Sequence, residues 1–145
     1  MSRGVRGAVV IDTGVYSANL DPRRLRLASE YREVLEGRPA IISFVTVAEM
    51  RFGARIAGWG PRRLQRLGHE LGRAKIVWPT TDLIDRYVDL RTWCVRNGHG
   101  LGRKNHEADR RVAATALRLG IPLVAHDTIF SGAQDLQLIS KPSST

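Results

Sequence analysis

The sequence predicts an α/β sandwich built on a mostly parallel sheet, and three observations carry that expectation. Short apolar runs without polar alternation, such as "AVVI" at 8–11 and "PLVA" at 122–125, suit strands covered on both faces. Between the runs lie longer segments with apolar residues at helical spacing. Two of the runs lead into an aspartate, "VVID" directly and "LVAHD" after one histidine. In parallel sheets that carboxyl edge is where ligands gather, near a topological switch point.

The elements follow in order. "GAVVID" reads as the first strand. After "DP", the segment from Arg23 to Glu36 spaces Leu27, Tyr31, Val34 and Leu35 as one helix face, closed by Gly37. "PAIIS" is the second strand, and a helix follows from about Thr46. Pro61 opens another helix, with Leu64, Leu67 and Leu71 on one face. "KIVW", stopped by Pro79, is the third strand. A helix over 82–97 carries Leu83, Tyr87, Leu90 and Cys94 inward. "GHGLGRKN" follows a helix, so it matches no phosphate-binding glycine loop and reads as a connector. A helix from about Glu107 to Leu119 is stopped by Gly120 and Pro122; "PLVAHD" and "LQLI" supply the last two strands. The 145 residues suit one domain over 1–140, with a disordered tail at 141–145.

Composition narrows the function classes. No apolar run approaches the ~18 residues of a membrane span, and the basic N-terminus leads into too few apolar residues for a secretory signal. The expectation is a cytoplasmic protein without membrane partners. The lone Cys94 excludes an intramolecular disulfide and falls on an apolar helix stripe, as a packed thiol would. Lys and Arg number 23 against 14 Asp and Glu, a formal charge of +9, and nearly all the cations are arginine. Guanidinium forks suit phosphate; arginine-favouring codon usage would produce the same excess. The charge alone leaves nucleic acid and an acidic protein partner both open.

Four carboxylates stand out. Asp12 and Asp127 end strands, where an ordinary turn or helix cap would also use aspartate. Glu49 lies in "TVAE", a capping box with Thr46 as the cap. Asp109 shares a helix face with Val112, Ala113, Ala116 and Leu117, an odd place for a carboxylate without a partner cation. Brought together, the four acids would raise one another's pKa, and nothing nearby in sequence supplies each with a lysine or arginine. A divalent cation resolves that repulsion, and oxygen ligands select Mg²⁺ or Mn²⁺ over zinc. With an arginine-rich surface, such a site points to hydrolysis of a phosphodiester. His99, His106 and His126 flank these regions without metal-ligand spacing. Glu107 points elsewhere on its helix, and Asp82, Asp85 and Asp89 read as an exposed face.

These segments resemble a known family. "VVIDTGVYSANL", "SFVTVAEMRFGA", "ADRRVAATALRLGIPLVAHDTIF" and "LQLI" are similar, in that order and over nearly the whole chain, to the PIN-domain ribonucleases, specifically the VapC toxins of VapBC toxin–antitoxin pairs. The resemblance implies a PIN-like three-layer α/β/α sandwich with a mostly parallel five-stranded sheet. It implies catalytic acids at Asp12, Glu49, Asp109 and Asp127, with Asp12 and Asp109 the foremost ligands of Mg²⁺ (or Mn²⁺). Asp127 would join the metal directly or through water, Glu49 would orient or activate a water, and Thr13 and Thr128 are supporting hydroxyls. It further implies cleavage of RNA (tRNA or rRNA), a homodimer, and a cognate VapB-type antitoxin that blocks the site. The chain departs from the family's habit at Gly14, where Asn or Ser is frequent, at Ala108 and at Arg111.

Two other classes compete. A phosphotransfer enzyme or receiver on a similar sheet needs a second acid beside or two residues beyond Asp12, and Gly14 occupies the latter position. The remaining alternative is a non-catalytic RNA-binding or antitoxin-binding protein of the same fold.

Overall fold

In the computed structural model, which describes residues 6–141, the chain forms β1 (Val9–Ile11), α1 (Thr13–Ala18), α2 (Leu25–Leu35), β2 (Ala40–Ser43), α3 (Phe44–Ile56) and α4 (Pro61–Arg73). The second half holds β3 (Lys75–Val77), α5 (Thr81–Arg96), α6 (Glu107–Leu119), β4 (Leu123–Val124) and β5 (Leu138–Ile139). The five strands form one sheet in the order β3-β2-β1-β4-β5, and every neighbouring pair is parallel. The three-layer fold expected from the sequence is the one observed.

The central strands β1 and β4 are apolar and buried along their whole length because both sheet faces are covered there, whereas the edge strand β3 begins with the exposed Lys75. Val10, Ile41, Leu123 and Ala125 pack with Leu90 and Cys94 of α5 and Val112, Ala113 and Ala116 of α6. On the opposite face Val9, Ile11 and Val124 meet Val15 and Tyr31 of α1 and α2, and Ile42 meets Met50, Leu67 and Leu71 of α3 and α4. Fully burying each such side chain is worth about 1.5–3 kcal/mol, so these short strands are held by the helices more than by their few ladder bonds. The chain leaves β1 toward β2 and β3 on one side and returns to β4 and β5 on the other. The switch point is therefore the gap beyond β1 and β4.

Several local expectations are corrected. α3 starts at Phe44, capped by Ser43, whose hydroxyl accepts from the Val45 amide at 3.1 Å. Thr46 is buried inside that helix and does not cap it. α1 directly after Asp12 was not expected; six residues are too few to show helical periodicity. A 3₁₀ turn at Pro22–Arg24, capped by Asp21, precedes α2. The glycine-rich connector folds into two 3₁₀ turns, Gly100–Gly102 and Lys104–His106. The first turn must hug α5, since a Cβ on Gly102 would lie 3.2 Å from the Val95 amide nitrogen. Leu64 is 45% exposed and Trp78 59%, so neither packs inward.

α6 is buried on more than a stripe, because Val112 through Ala116 are all buried. That helix packs against β1, β2, α3 and α5, and only small side chains permit such close approach on several sides. Cys94 is fully buried, and burial pushes its thiol up, as for a packed and unreactive group. Among the described residues no helix is long and apolar enough to cross a membrane. Of the tail expected at 141–145, residues 142–145 lie outside the described residues.

Candidate active site

Local chemistry fixes each carboxylate before any ligand is considered. Asp12 follows β1 and caps α1, its Oδ1 accepting the Val15 amide at 2.9 Å. Asp127 follows β4 and caps the 3₁₀ turn Thr128–Phe130 through Oδ1 and the Ile129 amide, 2.9 Å. Asp109 stands in the first turn of α6, and its Oδ2 accepts from His106 Nδ1 at 2.9 Å. Glu49, in α3, accepts the Thr13 hydroxyl at 2.8 Å. Thr13 Oγ1 also lies 2.9 Å from Thr46 Oγ1. A hydroxyl has one hydrogen, so donation to the carboxylate orders the chain as Thr46 to Thr13 to Glu49.

All four acids line one open cleft of about 530 Å³ beyond the switch point. The buried member is Asp12, whose pKa is raised from 3.8 to about 6. Desolvation is the largest cause; the Val15 amide opposes it, and the charges of Asp109, Asp127 and Glu49 push further upward. None of the four makes an ion pair with a lysine or arginine among the described residues; the only ion-pair partner is His106, on Asp109. The cleft is thus an unneutralised cluster of oxygen donors.

That donor set fits a hard divalent cation. Each carboxylate commits one oxygen to holding its orientation, and its other oxygen makes no hydrogen bond among the described residues. As the side chains stand, no three of the described His, Cys, Asp or Glu residues form a closed chelate. Mg²⁺ does not need one, since it keeps several waters and takes one or two carboxylates directly.

Of the supporting hydroxyls, Thr13 lies in the cleft, whereas Thr128 is exposed and outside its lining. His126, one of the histidines the sequence places beside these regions, lines the cleft, as do Ser17 and Arg24, which no sequence feature marks. His106 was detectable, since three residues before Asp109 is a contact spacing on one helix turn. Arg24 was not, because only the fold of the "DPRR" turn against α1 brings it back. His126 is held by Tyr31, whose hydroxyl lies 2.8 Å from its Nδ1 and also accepts the Lys141 amide at 2.8 Å. His99 instead staples a loop, accepting from the Leu101 amide at Nδ1 and donating from Nε2 to the Ser131 carbonyl at 2.7 Å. Arg110, 1% exposed, donates to the carbonyls of Leu101 and Arg103, tying both 3₁₀ turns to the start of α6 beside Asp109.

A parallel α/β/α sandwich with four carboxylates lining one cleft at its switch point has the oxygen-donor chemistry of a divalent-cation site. The PIN domain family model matches residues 9–136, and the chain belongs to the PIN-domain family. Nucleases of that family generally use divalent metal ions. No curated protein matches the chain. Among solved structures, it is similar to VapBC2 from Rickettsia felis bound to a DNA fragment from their promoter (TM-score 0.75, 18% identity, 92% of this chain and 98% of that one). FitAcB from Neisseria gonorrhoeae gives 0.68 at 23% identity over 90% and 96%. VapBC-5 from Mycobacterium tuberculosis, of the VapBC family of toxin–antitoxin systems, gives 0.67 at 26% over 92% and 98%.

Proposed function

We propose that this chain is a VapC-like toxin, a Mg²⁺- or Mn²⁺-dependent endoribonuclease that hydrolyses phosphodiester bonds of tRNA or rRNA in the cytoplasm and is neutralised by a VapB-type antitoxin. The observation that carries the reading is the convergence of Asp12, Glu49, Asp109 and Asp127, from four separate segments, with no lysine or arginine among the described residues paired to any of them. Asp12, Asp109 and Asp127 would hold the cation through their uncommitted oxygens. When bound, the metal would supply a water of lowered pKa and charge stabilisation at the phosphate. Glu49, oriented by Thr13 and Thr46, accepts the proton of the attacking water. His106 keeps the Asp109 carboxylate turned into the cleft, and the Asp12 cap holds its second oxygen toward the same space.

Partner binding has a candidate surface. Ile84, Val88 and Val95 line one exposed face of α5, and Phe52 and Ile56 one exposed face of α3. Such faces suit a second copy of the chain and an antitoxin segment. The test is incubation of the purified protein with total cellular RNA in Mg²⁺ or Mn²⁺, against EDTA and Asp12→Asn controls. Discrete cuts absent from both controls are expected. RNA binding without cleavage would replace this reading with that of a non-catalytic PIN-fold protein.

A further inference from the structure

One guanidinium lines the acidic cleft, and the acids leave it unused. Arg24 is half-buried, and its Nη1 donates to Ser17 Oγ at 2.8 Å, while Ser17 donates to the Gly14 carbonyl at 3.2 Å. Its neighbours Arg23 and Arg26 pair with Asp21 and Glu30; among the described residues Arg24 pairs with no carboxylate. It nonetheless shares a space with Asp12. A Cβ on Gly14 would lie 3.6 and 3.7 Å from the Asp12 carboxylate oxygens and 3.9 Å from Arg24 Nη2.

The backbone at Gly14 does not demand glycine, since Gly14 is helical and absent from the positive-φ positions. A helical glycine costs about 1 kcal/mol relative to alanine, and at this position it leaves a gap walled by a carboxylate and a guanidinium. The cleft opens beyond that methyl-sized gap, with room for an anion of several oxygens. One oxygen can meet the fork of Arg24 while another meets a cation held by the acids.

We propose that Arg24 is a phosphate-positioning residue and that Gly14 keeps the seat between it and Asp12 open for one backbone phosphate of RNA. The inference rests on the nuclease reading and deepens it. The bland role, in which Arg24 only secures the α1–α2 turn through Ser17, predicts no effect on nucleic-acid binding.

The experiment compares the parent with Arg24→Gln, Arg24→Lys and Gly14→Ala. Binding of a fluorescein-labelled random single-stranded RNA is measured across a salt series with Ca²⁺, and cleavage of the same RNA is measured with Mg²⁺. Arg24→Gln should reduce cleavage about 10- to 100-fold and flatten the slope of log K against log salt by about 0.7, the loss of one phosphate contact. Arg24→Lys should restore the slope but only part of the rate, because an ammonium lacks the fork. Gly14→Ala meets only ordinary van der Waals contacts, so it should melt no lower than the parent while losing cleavage comparably. If the parent cleaves and both Arg24→Gln and Gly14→Ala stay within twofold with unchanged slopes, the seat is wrong and the nuclease reading stands. Cleavage lost at Arg24→Gln without a change of slope also overturns the proposal. A parent that cleaves no RNA in Mg²⁺ or Mn²⁺ overturns both.

Discussion

Replacing Asp12 by asparagine should end cleavage and, in the same molecule, stabilise the metal-free fold. Asparagine caps a helix as well as aspartate does, so its Oδ1 still accepts the Val15 amide. What disappears is a charge that is buried and faces three other carboxylates. Those surroundings raise Asp12 from 3.8 to about 6. At about 1.4 kcal/mol per pH unit, ionising it in the folded state costs at most about 3 kcal/mol. The sign follows from linkage. A folded-state pKa above the unfolded one favours folding fully below about pH 3.8, and that contribution is lost as pH rises through about 6. In EDTA at pH 7.5, Asp12→Asn should therefore melt higher than the parent, by up to roughly 10 °C for a chain of this size. The gap should close by pH 4. Added Mg²⁺ should narrow it at pH 7.5 by stabilising the parent alone. An asparagine variant that melts lower at pH 7.5, or a gap that ignores pH, would refute the argument that unneutralised charge resides in this cleft.

Thr13→Val removes the hydroxyl that holds Glu49 while keeping the side-chain shape. Hydrogen bonds to charged groups are worth about 1.5–3 kcal/mol, so kcat should fall at least about tenfold in the RNA assay; Thr128→Val should match the parent, and equal losses at both would show that Thr13 has no special role. Arg110→Met strands two carbonyls at about 1–3 kcal/mol each, partly offset by no longer desolvating a guanidinium. Urea unfolding should show a net loss of about 2–4 kcal/mol, and a variant as stable as the parent would mean that water reaches those carbonyls. Gly68→Ala lies on the exposed side of α4 with nothing within 4 Å of the new methyl. Calorimetry should find a gain of about 0.5–1 kcal/mol, and a lower melting temperature would show that the site is not open.

By itself the sequence determined everything that repeats over a few residues. The inner strands announce themselves as unalternated apolar runs because both faces of the sheet are covered there, and α2, α4, α5 and α6 show their spacing because each lays apolar side chains on a core. Three of the four acids were visible as oddities, two at strand ends and one on the apolar face of a helix, and Glu49 as a member of a capping box. Short or exceptional pieces escaped that logic. α1 is too brief for a period, and the "TVAE" box lost to Ser43, which lies three residues before Thr46 and caps the buried Val45 amide. Only the tertiary structure decided which distant groups meet. The hydroxyl chain from Thr46 through Thr13 to Glu49, the return of Arg24 to Asp12, and the grip of Arg110 on two turns all cross between elements. Nothing in local spacing specifies them. They follow from strand order and crossover, which bring the ends of β1 and β4 side by side, and from desolvation there, which turns an ordinary capping aspartate into one of pKa about 6.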